Sequence, residues 1–153
     1  MLTRLDSRQA ATVIAVVLLV TILGAWLFQF AGYEPCDLCY KQRWGYYAGI
    51  PLALLVAWAG PVFRRPGLVL LALLLAGNAV FGAYHAGVEW KWWEGPSTCG
   101  GGSLSGGLPN LSKPAVLCDE AALRIFGLSL AGWNAVISAG LCLLALAAAR
   151  KAK

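Results

Sequence analysis

Four of the chain's five cysteines fall into two pairs of unequal spacing. Cys36-Asp37-Leu38-Cys39 is a C-x-x-C, a spacing that recurs in redox-active dithiols because it lowers the pKa of one thiol. Pro35 just before it suits the first turn of a helix. A helix that starts there puts Cys39 near its positive end and Arg43, at i+4, on the same face. A helix N-terminus and a guanidinium both favour a thiolate, so Cys39 is the expected reactive sulfur. Cys99 and Cys118 flank a Gly/Ser-rich stretch, Gly100 to Gly107, that reads as a flexible tether. Cys142 stands alone among leucines and reads as a packing residue. A zinc site would more usually pair two C-x-x-C motifs, or one with H-x-x-x-H. The only histidine, His85, is far from such a spacing, so no metal is expected.

These residues must be positioned by membrane helices. The apolar set makes up 59% of the 153 residues and charged residues only 12%, against roughly 25% charged in a soluble domain. That composition excludes a cytosolic enzyme, a disordered chain and a nucleic-acid binder. Spanning helices are expected over about 10–31, 44–61, 67–88 and 126–149, each near the ~20 residues that the hydrocarbon core requires. They contain no formal charge, and His85 is their one ionisable group apart from tyrosines and Cys142. The expected fold class is an all-α membrane protein, a four-helix antiparallel bundle forming a single domain over 1–153. Its larger loops are 32–43 and 89–125. Asp119-Glu120 suit the start of a short amphipathic helix over 121–126.

Basic residues orient the bundle. Both termini and the 61–66 turn carry Arg4, Arg8, Arg64, Arg65, Arg150, Lys151 and Lys153, whereas six of the seven acids lie in the other two loops. The termini are therefore expected to be cytoplasmic, and both cysteine pairs to face an oxidising compartment where disulfides persist. Trp90, Trp92 and Trp93 read as an interfacial belt. The first span is longer than a signal-peptide core and has no A-x-A site before Tyr33-Glu34-Pro35, so it reads as a retained anchor.

Pro35-Cys36-x-x-Cys39 after span one, Arg43 beyond it, Pro96-Ser97-Thr98-Cys99, and Cys118 before Phe126-Gly127-Leu128 and Trp133 together resemble the DsbB family. The resemblance covers nearly the whole chain. It implies an enzyme of the bacterial inner membrane, a thiol:quinone oxidoreductase. Such an enzyme reoxidises a periplasmic, DsbA-like dithiol oxidase of thioredoxin fold and passes the electrons to ubiquinone or menaquinone. It further implies that the partner's thiolate attacks Cys99 and releases Cys118, which attacks Cys36. Cys39 is then freed as a thiolate beside the quinone, with Arg43 stabilising charge there and His85 adding a hydrogen bond or a proton. The chain departs from the family in its Gly-rich loop and at Leu123, where some members carry an aromatic residue. A strong periplasmic oxidant near ~−120 mV needs a more positive final acceptor, which a lipid quinone supplies. Three rival readings are a structural or adaptor membrane protein with two stabilising disulfides, a metal-handling protein and a vitamin K epoxide reductase-like enzyme. In the last the C-x-x-C falls late in the bundle, not after span one.

Overall fold

The computed structural model describes residues 5–96, 99 and 117–152. The Gly/Ser tether, Pro109, Pro114, Arg4, Lys113 and Lys153 lie outside them. Four helices carry the fold: α1 (Ser7–Phe30), α2 (Asp37–Trp58), α3 (Pro61–Glu89) and α4 (Leu130–Lys151). A hairpin of two-residue strands, β1 (Arg124–Ile125) and β2 (Leu128–Ser129), precedes α4, with Ile125 opposite Leu128.

Local chemistry sets each boundary. Asp6 and Gln9 form a reciprocal capping box, so α1 starts earlier than its apolar run. The helix ends in a Schellman motif on Gly32, at φ 98°; the N–H groups of Gly32 and Tyr33 bond the Gln29 and Phe28 carbonyls. Cys36 caps α2, which therefore begins two turns before the apolar stretch. Pro61 opens α3 at its first turn, so 61–66 is helix rather than the expected loop, and only Ala59-Gly60 separates α2 from α3. Arg64 Nη2 reaches back 3.0 Å to the Ala59 carbonyl. Ser129 caps α4 through the Gly132 N–H, and Arg150 and Lys151 complement the dipole at its end.

The sequence expectation of a helix over 121–126 is corrected. Arg124 and Ile125 are extended, and Phe126-Gly127 form the tight turn, with φ values of 51° and 82°. A two-residue hairpin loop with both residues at positive φ matches the twist of its strands. Six residues are also too few to nucleate a helix without help. The Trp133 indole N–H holds the hairpin by donating to the Ile125 carbonyl. α4 accordingly starts at Leu130, not at 126.

Helices α1, α3 and α4 are long and apolar enough to cross a membrane. Helix α2, expected as a span over 44–61, is not among those three. Its first two turns carry Asp37, Lys41, Gln42 and Arg43. From Trp44 to Trp58 its apolar length is only about 22 Å, against roughly 30 Å of hydrocarbon. Large side chains such as Val20, Leu73 and Leu143 are more than half exposed on the outer faces, as lipid contact demands.

Inside, Ile14, Leu18 and Ile22 of α1 meet Tyr46 and Ala53 of α2, Leu71 and Leu75 of α3, and Leu141 and Ala145 of α4. One end is closed by small residues including Ala10, Ala57, Ala148 and Ala149. A polar knot sits between these layers and the cysteine end. Asn134 Oδ1 accepts from the Tyr46 hydroxyl, from Asn78 Nδ2 at 2.9 Å and from Ser138 Oγ at 3.2 Å. Such bonds specify helix partners where lipid offers polar groups nothing. Close approach is needed at Gly82, where an added Cβ would stand 2.9 Å from the Ala135 backbone nitrogen. Gly82→Leu is expected to force α3 off α4 and cost about 1–3 kcal/mol, read as a lowered unfolding midpoint in detergent.

Candidate functional site

The cysteine end of the bundle collects the chemistry. Cys36, Leu38, Val88, Cys99 and Cys118 form one buried cluster, with Cys39 and Phe81 packed against it. Cys99 and Cys118 are joined as a disulfide, and Cys118 is 1% exposed. Cys36 and Cys39 are free thiols with their sulfurs 2.7 Å apart. All four sequence-predicted cysteines are thus brought together, the outer bridge lying on the inner pair. Cys142 packs against the helix core instead, as expected.

The helix start decides which sulfur caps the helix. α2 begins at Asp37, so Cys36, not Cys39, is the cap, and its Sγ accepts the Cys39 N–H at 3.2 Å. The hydrogen bond from the Cys39 thiol brings the Cys36 thiol from 9.0 down to about 5, against its burial and with help from His85 and the Cys39 N–H. Cys39 is pushed up because its thiol hydrogen serves Cys36, and a second negative sulfur beside the first is repelled. Of the two thiols in the reduced pair, Cys36 is thus held low and Cys39 high. A thiol lowered in this way is ionised above about 5 and neutral below it. In the dithiol form, ultraviolet thiolate absorbance should appear with a midpoint near 5 and disappear in Cys36→Ala.

His85 is buried and lies behind this sulfur. Gln42 Nε2 donates to His85 Nδ1 at 2.9 Å, which leaves the hydrogen on Nε2, 3.5 Å from Cys36 Sγ. Glu89, one helical turn beyond His85, places Oε1 3.9 Å from the same Nε2. Sequence reasoning missed both partners. Glu89 is at i+4 from His85 and Gln42 at i+3 from Cys39, spacings that put each on the functional face.

A cavity of about 400 Å³ opens beside the C-x-x-C. Its walls include Cys36, Cys39, Arg43 and Glu89, together with Phe28, Leu123, Ile125, Trp133 and Ile137. Arg43 is held for this position: Nη1 donates to Gln29 Oε1 at 2.6 Å and the guanidinium lies 5.1 Å from the centre of the Tyr40 ring. Apolar walls with a few convergent polar groups suit a flat, largely apolar ring bearing oxygens. Leu123 lines the cavity as a non-aromatic wall, while Phe28 and Trp133 supply aromatic surface. His85 is not among the lining residues; it contacts Cys36.

A metal fits less well. Cys36, Cys39 and His85 offer ligand atoms within 4.8 Å of one another, so the distance along the sequence that spoke against a metal does not hold in space. Yet among the described residues the group offers three ligands, one short of the four that close a structural zinc site.

The fold and site define a multi-pass membrane protein with two adjoining cysteine pairs at one end of a helical bundle. The family described as disulfide bond formation protein DsbB matches residues 7–148, and the chain belongs to that family. Among similar proteins, disulfide bond formation protein B of Azoarcus sp. (strain BH72) is 31% identical over 136 residues, 80% of this chain and 80% of that protein. That of Verminephrobacter eiseniae (strain EF01-2) is 32% identical, covering 82% and 76%. That of Albidiferax ferrireducens is 29% identical, covering 81% and 76%. No solved structure matches the chain. The protein is accordingly a membrane oxidoreductase of disulfide bond formation.

Proposed function

We propose that this chain, acting as one unit over 1–153, reoxidises a DsbA-like dithiol oxidase of the periplasm and delivers the electrons to a membrane quinone. In this reading it resides in the bacterial inner membrane with both termini cytoplasmic. Helix α2 completes the crossing as a fourth, shorter span whose polar first turns stand at the interface. The observation that carries the reading is the cavity whose wall holds both C-x-x-C sulfurs and Arg43, with the Cys99–Cys118 bridge packed against Cys36.

Exchange begins at the outer pair. The partner's thiolate attacks Cys99 and the Cys99–Cys118 bond breaks, leaving Cys118 as a thiolate. Cys118 then attacks Cys36 of the oxidised inner pair, and Cys39 leaves with the electron pair at the edge of the cavity. Thiol–disulfide exchange favours a stable leaving thiolate. Once the partner's second thiol has displaced Cys99, Cys99 attacks Cys118. The low pKa of Cys36 suits it to depart and, as two electrons pass to the acceptor, to close back onto Cys39. The quinone, ubiquinone or menaquinone, supplies a two-electron acceptor when bound. Arg43 places a fixed positive charge where negative charge grows, which is where preorganised electrostatics contribute most. His85 acts through Cys36, holding the thiolate with its Nε2–H.

The test is electron transfer by the purified protein in detergent, supplied with a reduced thioredoxin-fold dithiol and a soluble quinone. Hydroquinone and oxidised partner are expected to form one for one. Oxidised partner without hydroquinone, or neither product, would contradict the proposal.

A further inference from the structure

We propose that Glu89 is the proton donor of the cavity, giving a proton to the bound acceptor and recovering it as the inner pair is reduced again; this rests on the quinone reading above. Three observations carry it. Glu89, the last residue of α3, is 8% exposed yet lines the cavity together with Cys39 and Arg43. Its Oε2 is buried with no hydrogen-bond partner among the described residues. Its Oε1 faces the same His85 Nε2 that faces Cys36. A buried polar atom left unsatisfied in a native structure calls for a reason, and a catalytic role is one of the few that explain it. The groups around it are His85 on its own helix, Cys36 and Cys39 from α2, and Arg124 and Ser129 from the hairpin. No lysine or arginine is seen within salt-bridge distance of it among the described residues.

The balance of the reaction requires such a group. The reduced pair starts as a Cys36 thiolate and a Cys39 thiol, which hold two electrons but only one proton. Forming the Cys36–Cys39 bond releases both electrons and the Cys39 proton, while reducing a quinone to hydroquinone takes two electrons and two protons. Glu89 gives the second proton and becomes a carboxylate beside the His85 Nε2–H. When the next dithiol reduces the pair, it arrives as a thiolate and a thiol and brings two electrons and one proton, and water at the cavity mouth supplies the second proton. One returns to Cys39 and the other to Glu89, so each turnover closes.

The test is Glu89→Gln, which keeps the shape and removes the proton. Infrared difference spectra of quinone-free protein, dithiol form minus disulfide form, should show a protonated-carboxyl band that Glu89→Gln abolishes and Glu94→Gln leaves. Turnover with quinone should fall by about 10²-fold, the usual scale for losing a general acid, with trapping of the partner on Cys99 unchanged. Glu89→Asp, which keeps a carboxyl, should restore the band. A band that survives in Glu89→Gln, or a variant with wild-type turnover at every pH, would overturn the assignment. Wild-type protein that transfers no electrons to quinone would instead defeat the underlying reading, a separate result.

Discussion

Cys39→Ala is expected to stop electron delivery to quinone, lowering turnover by more than ~10³-fold, the scale on which loss of a covalent reactive group acts. Without Cys39 the inner pair cannot close, so no two-electron step is available at the cavity. The remaining sulfur does not fall idle. Cys36 lies in one buried cluster with the outer bridge, so it should attack Cys118 and leave Cys99 free. Non-reducing peptide mapping of Cys39→Ala should therefore find a Cys36–Cys118 disulfide. An intact Cys99–Cys118 bridge beside an unreacted Cys36 would show that the two pairs do not communicate. The same variant removes the largest contribution to the low pKa of Cys36, the hydrogen bond from the Cys39 thiol. Once that disulfide is reduced, the Cys36 thiolate absorbance should accordingly develop at higher pH than in the parent dithiol.

Arg43→Met should leave the exchange half of the reaction standing and damage the other half. The guanidinium lines the cavity and is fixed by Gln29 and the Tyr40 ring, so its charge is already in place before any ligand binds. Removing one preorganised group of this kind lowers turnover by about 10²-fold. The loss should appear in quinone reduction, while oxidised partner still forms stoichiometrically in a single encounter with the Cys99–Cys118 bridge. Gln29→Ala should produce a smaller version of the same defect by freeing the guanidinium without deleting it. Equal loss in both halves would mean that Arg43 supports the bundle rather than the cavity.

The sequence made the membrane helices and the cysteine pairing legible for separate physical reasons. Long apolar runs identify spans because lipid leaves the backbone no other solution. The C-x-x-C identifies itself because its spacing already fixes both sulfurs on one helical turn. Helix ends were harder to read. Apolar windows do not register the Asp6–Gln9 capping box, so α1 starts earlier than its apolar run suggests, whereas Pro35 suggests a start for α2 two residues before the observed Asp37. The error at α2 had a chemical consequence, since moving the helix start to Asp37 makes Cys36 the capped sulfur and not Cys39. Phe126-Gly127 hid a turn behind a residue that seldom adopts positive φ. Gln42 and Glu89 were passed over because each reads as an ordinary polar residue at a membrane edge. Glu89 meets His85 through its i+4 spacing within α3, and only the packing of α2 against α3 brings Gln42 to the same ring.

The relay stands or falls on the outer pair, and Cys118→Ala tests it most directly. With Cys118 gone, a partner's sulfur on Cys99 cannot pass its electrons inward through Cys118. Membranes isolated without reductant should then carry a DTT-sensitive adduct to a soluble, periplasmic thioredoxin-fold protein, and the adduct should vanish when Cys99 is also replaced. No adduct, together with cysteine pairs in the parent protein that stay unchanged when a reduced thioredoxin-fold partner is added, would contradict the account and make the cysteines structural.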